Sequence, residues 1–120
     1  MDVILSRPFE EQLLEKPLEI EELPTPALVI NLPLLSANMD KMAKFVGKQN
    51  KGIRPHAKTH KCPIICKMQM EKGAVGVCVA KVSEALCMAA AGVESILLTS
   101  PIVTKAKAMV LDEVCERSKS

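Results

Sequence analysis

Two hydrophobic periods take turns along this chain. Short runs with strand-like alternation recur about every 20 residues from Ile53 on, and the stretches between them carry apolar residues at helical spacing. Ala27-Leu28-Val29-Ile30 predicts a strand. Pro33 then opens a helix to about Gln49, with Leu35, Met39, Met42 and Val46 spaced 4, 3, 4 along one stripe, and Asn50-Lys51-Gly52 ends it. Segment 53–58 predicts a strand. Its odd positions Ile53, Pro55 and Ala57 are apolar and face helices, while Arg54, His56 and Lys58 face the other way. A helix follows near 62–72, with Pro63 in its first turn, Ile65 and Met68 on its apolar face, and Gly73 after it. Strand 75–80 leads to an Ala-rich helix capped by Ser83, with Glu84 in its first turn, running to about Ala91 before Gly92. Strand 95–99 leads to Pro101 and a last helix from about Thr104.

Strands separated by single helices suit right-handed βαβ crossovers, so the fold class is α/β with a parallel sheet. A closed (β/α)₈ barrel needs eight units and typically ~250 residues. At 120 residues the chain is either a small open sheet or the front of a larger fold. Residues 1–26 are acidic and broken by Pro8, Pro17, Pro24 and Pro26, which leaves room only for short helical pieces. With 48% hydrophobic and 25% charged residues the composition is globular rather than disordered. A net charge of +2 gives no strong attraction to nucleic acid or membrane, and Phe9 and Phe45, the only aromatics, form no stacking platform for bases. No apolar run approaches the ~20 residues of a membrane span. The start Met1-Asp2-Val3-Ile4-Leu5-Ser6-Arg7 lacks the basic and apolar regions of a signal peptide. Five cysteines, none in a C-x-x-C pair, argue against a disulfide framework and for a reducing, cytoplasmic compartment; Cys78 and Cys87 read as core residues.

The candidate chemistry centres on Lys58, at the end of a strand, where parallel α/β folds place their sites. Enclosed beside Arg54 and His56 it would lose protons more easily, and a neutral lysine can attack an aldehyde to form a Schiff base. The ordinary alternative is a solvated lysine at a strand end. His56, His60, Cys62 and Cys66 suggest zinc, but H-x₃-H-x-C-x₃-C does not match structural zinc spacings, and a strand-to-helix path scatters the ligands. Gly73-Ala74-Val75-Gly76 precedes a strand, the wrong order for a phosphate loop, and reads as a turn.

Four segments then fall in order: Leu23-Pro24-Thr25-Pro26-Ala27-Leu28-Val29-Ile30-Asn31-Leu32, Arg54-Pro55-His56-Ala57-Lys58-Thr59-His60-Lys61, Val79-Ala80-Lys81-Val82-Ser83-Glu84-Ala85 and Ile96-Leu97-Leu98-Thr99-Ser100-Pro101. With them the chain, over about residues 20–105, resembles the N-terminal part of the D-threonine aldolase and D-serine dehydratase family, in the alanine-racemase-like (fold type III) group of pyridoxal phosphate enzymes. The R-P-H-x-K-T-H-K string is the specific element; Asn31 stands where many relatives have an acidic residue. The resemblance implies the front of a (β/α)₈ barrel, about three barrel strands, over 27–120, and a 1–26 extension associated with a β-domain that this chain lacks. It implies Lys58 as the lysine that holds pyridoxal 5'-phosphate, with His56 and Arg54 beside the cofactor. It implies a divalent metal, Zn or Mn, whose ligands lie near the family's C-terminus and not in this chain. The implied reaction is cleavage of a D-3-hydroxy amino acid to glycine and an aldehyde, by a homodimer in its complete form. A D-serine dehydratase type of ammonia loss is the alternative; a non-catalytic pyridoxal phosphate-binding module and an inactive truncated chain are the alternatives of another class.

Overall fold

The computed structural model describes residues 18–117, in two units that divide after Asn31. In the first, Ile20–Glu22 forms a single 3₁₀ turn, closed by the Glu19 N–H donating to the Glu22 carboxylate at 2.9 Å. The strand expected at 27–30 is not formed: Leu28, Val29 and Ile30 are exposed and belong to no regular element. An apolar run becomes a strand only against a ladder partner, and none of the described residues supplies one. The short helical pieces expected within residues 1–17 lie outside the described residues.

The second unit runs α1 (Leu32–Gly47), α2 (Pro63–Glu71), β1 (Val77–Val79), α3 (Val82–Ala90), β2 (Ile96–Leu98) and α4 (Lys105–Arg117). From α2 on, helix and strand alternate as the periodicity predicts; segment 53–58, expected as a strand, forms only a single bridge at His56 and turns away at residues 57–60. Pro63 occupies the first turn of α2, where its missing N–H costs nothing. Positive φ at Asn50, Gly73 and Gly92 turns the chain out of α1, α2 and α3. One cap differs from expectation. Lys81, not Ser83, is the N-cap residue of α3, and Ser83 sits exposed inside the first turn. Glu84 takes over the capping instead, by accepting the Lys81 N–H at 3.2 Å.

β1 and β2 pair in parallel, Val77 with Ile96, Cys78 with Leu97 and Val79 with Leu98. Segment 53–57 lies along the other edge of β1, joined through a parallel bridge between His56 and Cys78. The backbone bonds explain why the ladder is shorter there than the sequence suggests. Val75 N–H donates to the Ile53 carbonyl and Cys78 N–H to the Pro55 carbonyl, so two steps on one side oppose three on the other. Gly76 is the extra residue, a bulge with φ 137°. A Cβ there would lie on top of the Arg54 guanidinium and Ser95.

The core lies between the sheet and its helices. Ala57, Cys66, Val77, Val79, Ala85, Met88, Val93 and Val114 form it, all nearly or fully buried. Val77 and Val79 point into it from β1 while Cys78 points away, as pleating requires. Cys66, not Cys78 or Cys87, is the buried cysteine; Cys78 is half-buried and Cys87 exposed. A cysteine in an apolar stretch follows the parity of its strand or the face of its helix, which the apolar stretch alone does not give. α1 contributes no buried residue. Its Leu35 and Met39 line a groove of about 390 Å³ with Ile53 and Pro55 instead.

Candidate active site

The odd positions of 53–57 go where the alternation sends them. Ala57 is 1% exposed in the core, and Ile53 and Pro55 look toward α1. Arg54, His56 and Cys78 therefore share the sheet face that the helices leave open, and Leu97 and Thr99 join them from β2 and its end. Lys58 follows immediately, exposed, in the turn 57–60 that leaves the strand. It stands just past the bridge of His56 with Cys78, at the carboxyl end of the parallel ladder, where such folds bind ligands.

The sequence candidates separate in this geometry. His56 stays with Lys58: its Nδ1 accepts the Lys58 backbone N–H at 3.3 Å, and its Nε2 lies 3.3 Å from Thr99 Oγ1. Arg54 lies at the other end of the sheet, four residues and so roughly 13 Å of strand before Lys58. Its Nη1 donates to both the carbonyl and the hydroxyl of Ser95, each at 3.0 Å, across the space that Gly76 leaves open. His60 turns inward. Its Nδ1 accepts the Cys62 N–H at 3.1 Å, its Nε2 is buried without a partner, and burial pushes its pKa down. His56, His60, Cys62 and Cys66 do not assemble as ligands, and among the described residues no group of three or more His, Cys, Asp or Glu could hold a metal ion.

Two residues were not legible as site residues in the sequence. Thr99 shows there only as the polar end of the third strand, in step with Leu97 and so on the open face. Glu84 shows only as a first-turn acid, three residues after Lys81. In the fold it is 9% exposed and accepts the N–H groups of Ala80 and Lys81 at 2.9 and 3.2 Å. It also meets the Lys61 ammonium at 3.5 Å, tying the end of the Lys58 turn to the start of α3. Lys61 itself has φ 50°, a left-handed backbone that a lysine adopts only at a cost. Its own N–H, donated to the Ala57 carbonyl at 2.7 Å, closes that turn. The Glu84 carboxyl is held below the usual carboxylate range, first by the Ala80 N–H.

A parallel two-stranded ladder flanked by helices, with segment 53–57 bridged to its other edge and an exposed lysine just after that segment, defines an α/β domain. Residues 30–114 match the family described as alanine racemase, N-terminal domain, and the chain belongs to that family. It is 40% identical over 95 residues to the D-threonine aldolase of Arthrobacter sp, covering 79% of this chain and 25% of that protein. To the 3-hydroxy-D-aspartate aldolase of Paracoccus denitrificans it is 37% identical, covering 72% of this chain and 22% of that one. Among solved structures, D-threonine aldolase from Filomicrobium marinum superposes with a TM-score of 0.76 at 42% identity, over 78% of this chain and 26% of the other. A D-threo-3-hydroxyaspartate dehydratase solved in a metal-free form gives a TM-score of 0.73 at 30% identity, over 80% and 25% of the two chains. This chain thus spans about a quarter of the length of the relatives it matches.

Proposed function

We propose that this chain is the cofactor-bearing N-terminal part of a pyridoxal phosphate-dependent lyase that cleaves D-3-hydroxy amino acids to glycine and an aldehyde. The observation that carries the reading is the place of Lys58. It is exposed in the turn that follows segment 53–57, at the carboxyl end of the ladder, and no described carboxylate pairs with it, whereas Lys61 and Lys72 are committed to Glu84 and Asp40. That arrangement fits an aldehyde cofactor, which needs a reachable amine and a fixed backbone behind it. Lys58 would hold the group covalently, and His56 would steady the backbone from which that side chain departs. Pyridoxal phosphate, when bound, supplies an electron sink for the bond broken at the substrate's α-carbon. The open face beneath Lys58, with Cys78 and Leu97, gives the site a partly apolar floor. Arg54 braces the far end of the same face through Ser95. A dehydratase outcome, loss of the β-hydroxyl as water followed by release of ammonia, is the second reading. Its support is the 37% identity over 75 residues to the D-threo-3-hydroxyaspartate dehydratase of Delftia sp.. A divalent metal, Zn or Mn, belongs to this proposal only through residues beyond those described.

The test is chemical trapping in the full-length protein. Borohydride reduction after incubation with pyridoxal phosphate should fix the label on Lys58, and Lys58→Ala should abolish both labelling and most of the turnover, since no other residue restores the covalent link. Peptide mapping that finds the label on Lys61 or Lys81 would falsify the assignment. Product analysis separates the outcomes: glycine with an aldehyde for the aldolase, a keto acid with ammonia for the dehydratase.

A further inference from the structure

Three hydrogen bonds in series cross the open face, and their donors can be assigned. The Lys58 backbone N–H points at His56 Nδ1 at 3.3 Å. An amide can only donate, so Nδ1 is the bare nitrogen, and the neutral ring carries its proton on Nε2. That nitrogen lies 3.3 Å from Thr99 Oγ1. The Thr99 hydroxyl in turn donates to the Val79 carbonyl at 3.0 Å, which leaves its oxygen lone pair to accept the His56 Nε2–H. The series spans from segment 53–57 over β1 to the end of β2, two strand spacings or roughly 9.6 Å. The His56 ring and the Thr99 hydroxyl lie on the open face, at the sheet end where Lys58 stands.

We infer that Thr99 is a positioning residue for Lys58, acting through His56. Its hydroxyl selects the Nε2–H tautomer of the imidazole, and that tautomer presents the bare Nδ1 that fixes the Lys58 backbone. The inference rests on the reading of Lys58 as the cofactor-bearing lysine. It also gives His56 a definite part: with Nδ1 on the Lys58 amide and Nε2 on Thr99, the ring orients the backbone that carries Lys58. The shape of Thr99 alone does not suffice. A valine there keeps the branched outline but leaves Nε2–H facing a methyl group, and the ring is then free to move its proton to Nδ1 and release the lysine amide.

Imidazole nitrogen-15 spectra of the full-length protein, recorded without cofactor above the ordinary histidine titration range and assigned by loss of signal in His56→Gln and His60→Gln, read His56 with His60 as an internal reference. The wild type should show His56 in one tautomer, protonated on Nε2. In Thr99→Val the His56 signals should move to a tautomer mixture while those of His60 stay, and the Lys58 amide should exchange roughly five-fold faster, as loss of one modest hydrogen bond implies. Thr99→Ser, which keeps the hydroxyl, should restore both. A wild-type proton on Nδ1 overturns the inference, and so does a His56 spectrum unchanged in Thr99→Val. If Thr99→Val disturbs His60 as well, the wild type and Thr99→Ser decide, and Nε2 protonation must appear in both. In the full-length protein, borohydride trapping of pyridoxal phosphate on Lys58 should slow several-fold in Thr99→Val and recover in Thr99→Ser. No label on Lys58 in any variant would overturn the proposed function while the tautomer result stands, so the two failures are told apart.

Discussion

Glu84 shows how one carboxylate can do the work of several contacts around the Lys58 turn. Two backbone N–H groups and one ammonium converge on it, so its ionised form is favoured in the fold and its pKa is lowered. A depressed folded pKa means that the stabilisation is complete above the ordinary carboxylate range and vanishes as the pH falls through the folded value. Glu84→Gln should therefore be less stable than wild type near neutrality, and the gap should close in acid. Urea midpoints over a pH series check this, and a gap that persists or widens in acid refutes it. His60 gives a second pH signature. Its pKa is also lowered, here by burial, so its neutral form contributes stability above the ordinary histidine value of about 6.5 that is lost as the pH falls through its folded value. Proton NMR titration should find the His60 ring titrating below that ordinary value, and a midpoint at or above it would contradict the packing around Nε2.

At the scale of elements, the sheet is built on Gly76 and the core on Met88. Gly76→Ala places a methyl group on Arg54 and Ser95 at a φ of 137°, so it should cost about 1–3 kcal/mol of backbone strain, in addition to the displaced Arg54 bonds. Met88, 1% exposed and 3.6 Å from the Cys66 sulfur, should cost about 2–5 kcal/mol when cut to alanine. Chemical denaturation measures both, and an unshifted midpoint for either would show that the site relaxes freely. The same elements show what was legible beforehand. Helices α1 to α4 could be read because 3.6-residue spacing, Pro63 and the closing glycines are local signals. So could the faces of 53–57, because alternation needs no knowledge of the partner strand. The strand at 27–30 was misread because pairing is not a local property. The cap at Ser83 was misread because residue type favoured serine, while the backbone enters α3 two residues earlier and Glu84 supplies the bond. Of the candidate site, the open-face position of His56, with Lys58 just after it, could be read from the alternation of segment 53–58. Thr99 could not, since its role depends on a neighbour 43 residues away.

For the molecule as a whole, the described sheet ends at β2, where Leu97 is 50% exposed on the open face and the outer edge has no strand beside it among the described residues. Unpaired apolar edges template association. The 120-residue chain alone should self-associate, and Leu97→Lys should reduce that tendency; light scattering against concentration reads the difference. A monodisperse wild-type chain with no dependence on concentration would mean that this edge is covered. The bulge at Gly76 bears on the whole molecule in another way. It sets the parity of β1: with the extra residue counted, Val77 and Val79 fall to the helices and Cys78 to the open face. Deleting that one glycine, with the register below it kept, would turn β1 over. Two valines would then line the floor beneath Lys58 and a thiol would enter the core, so a change in chain length by a single residue would act as a simultaneous substitution along the entire strand.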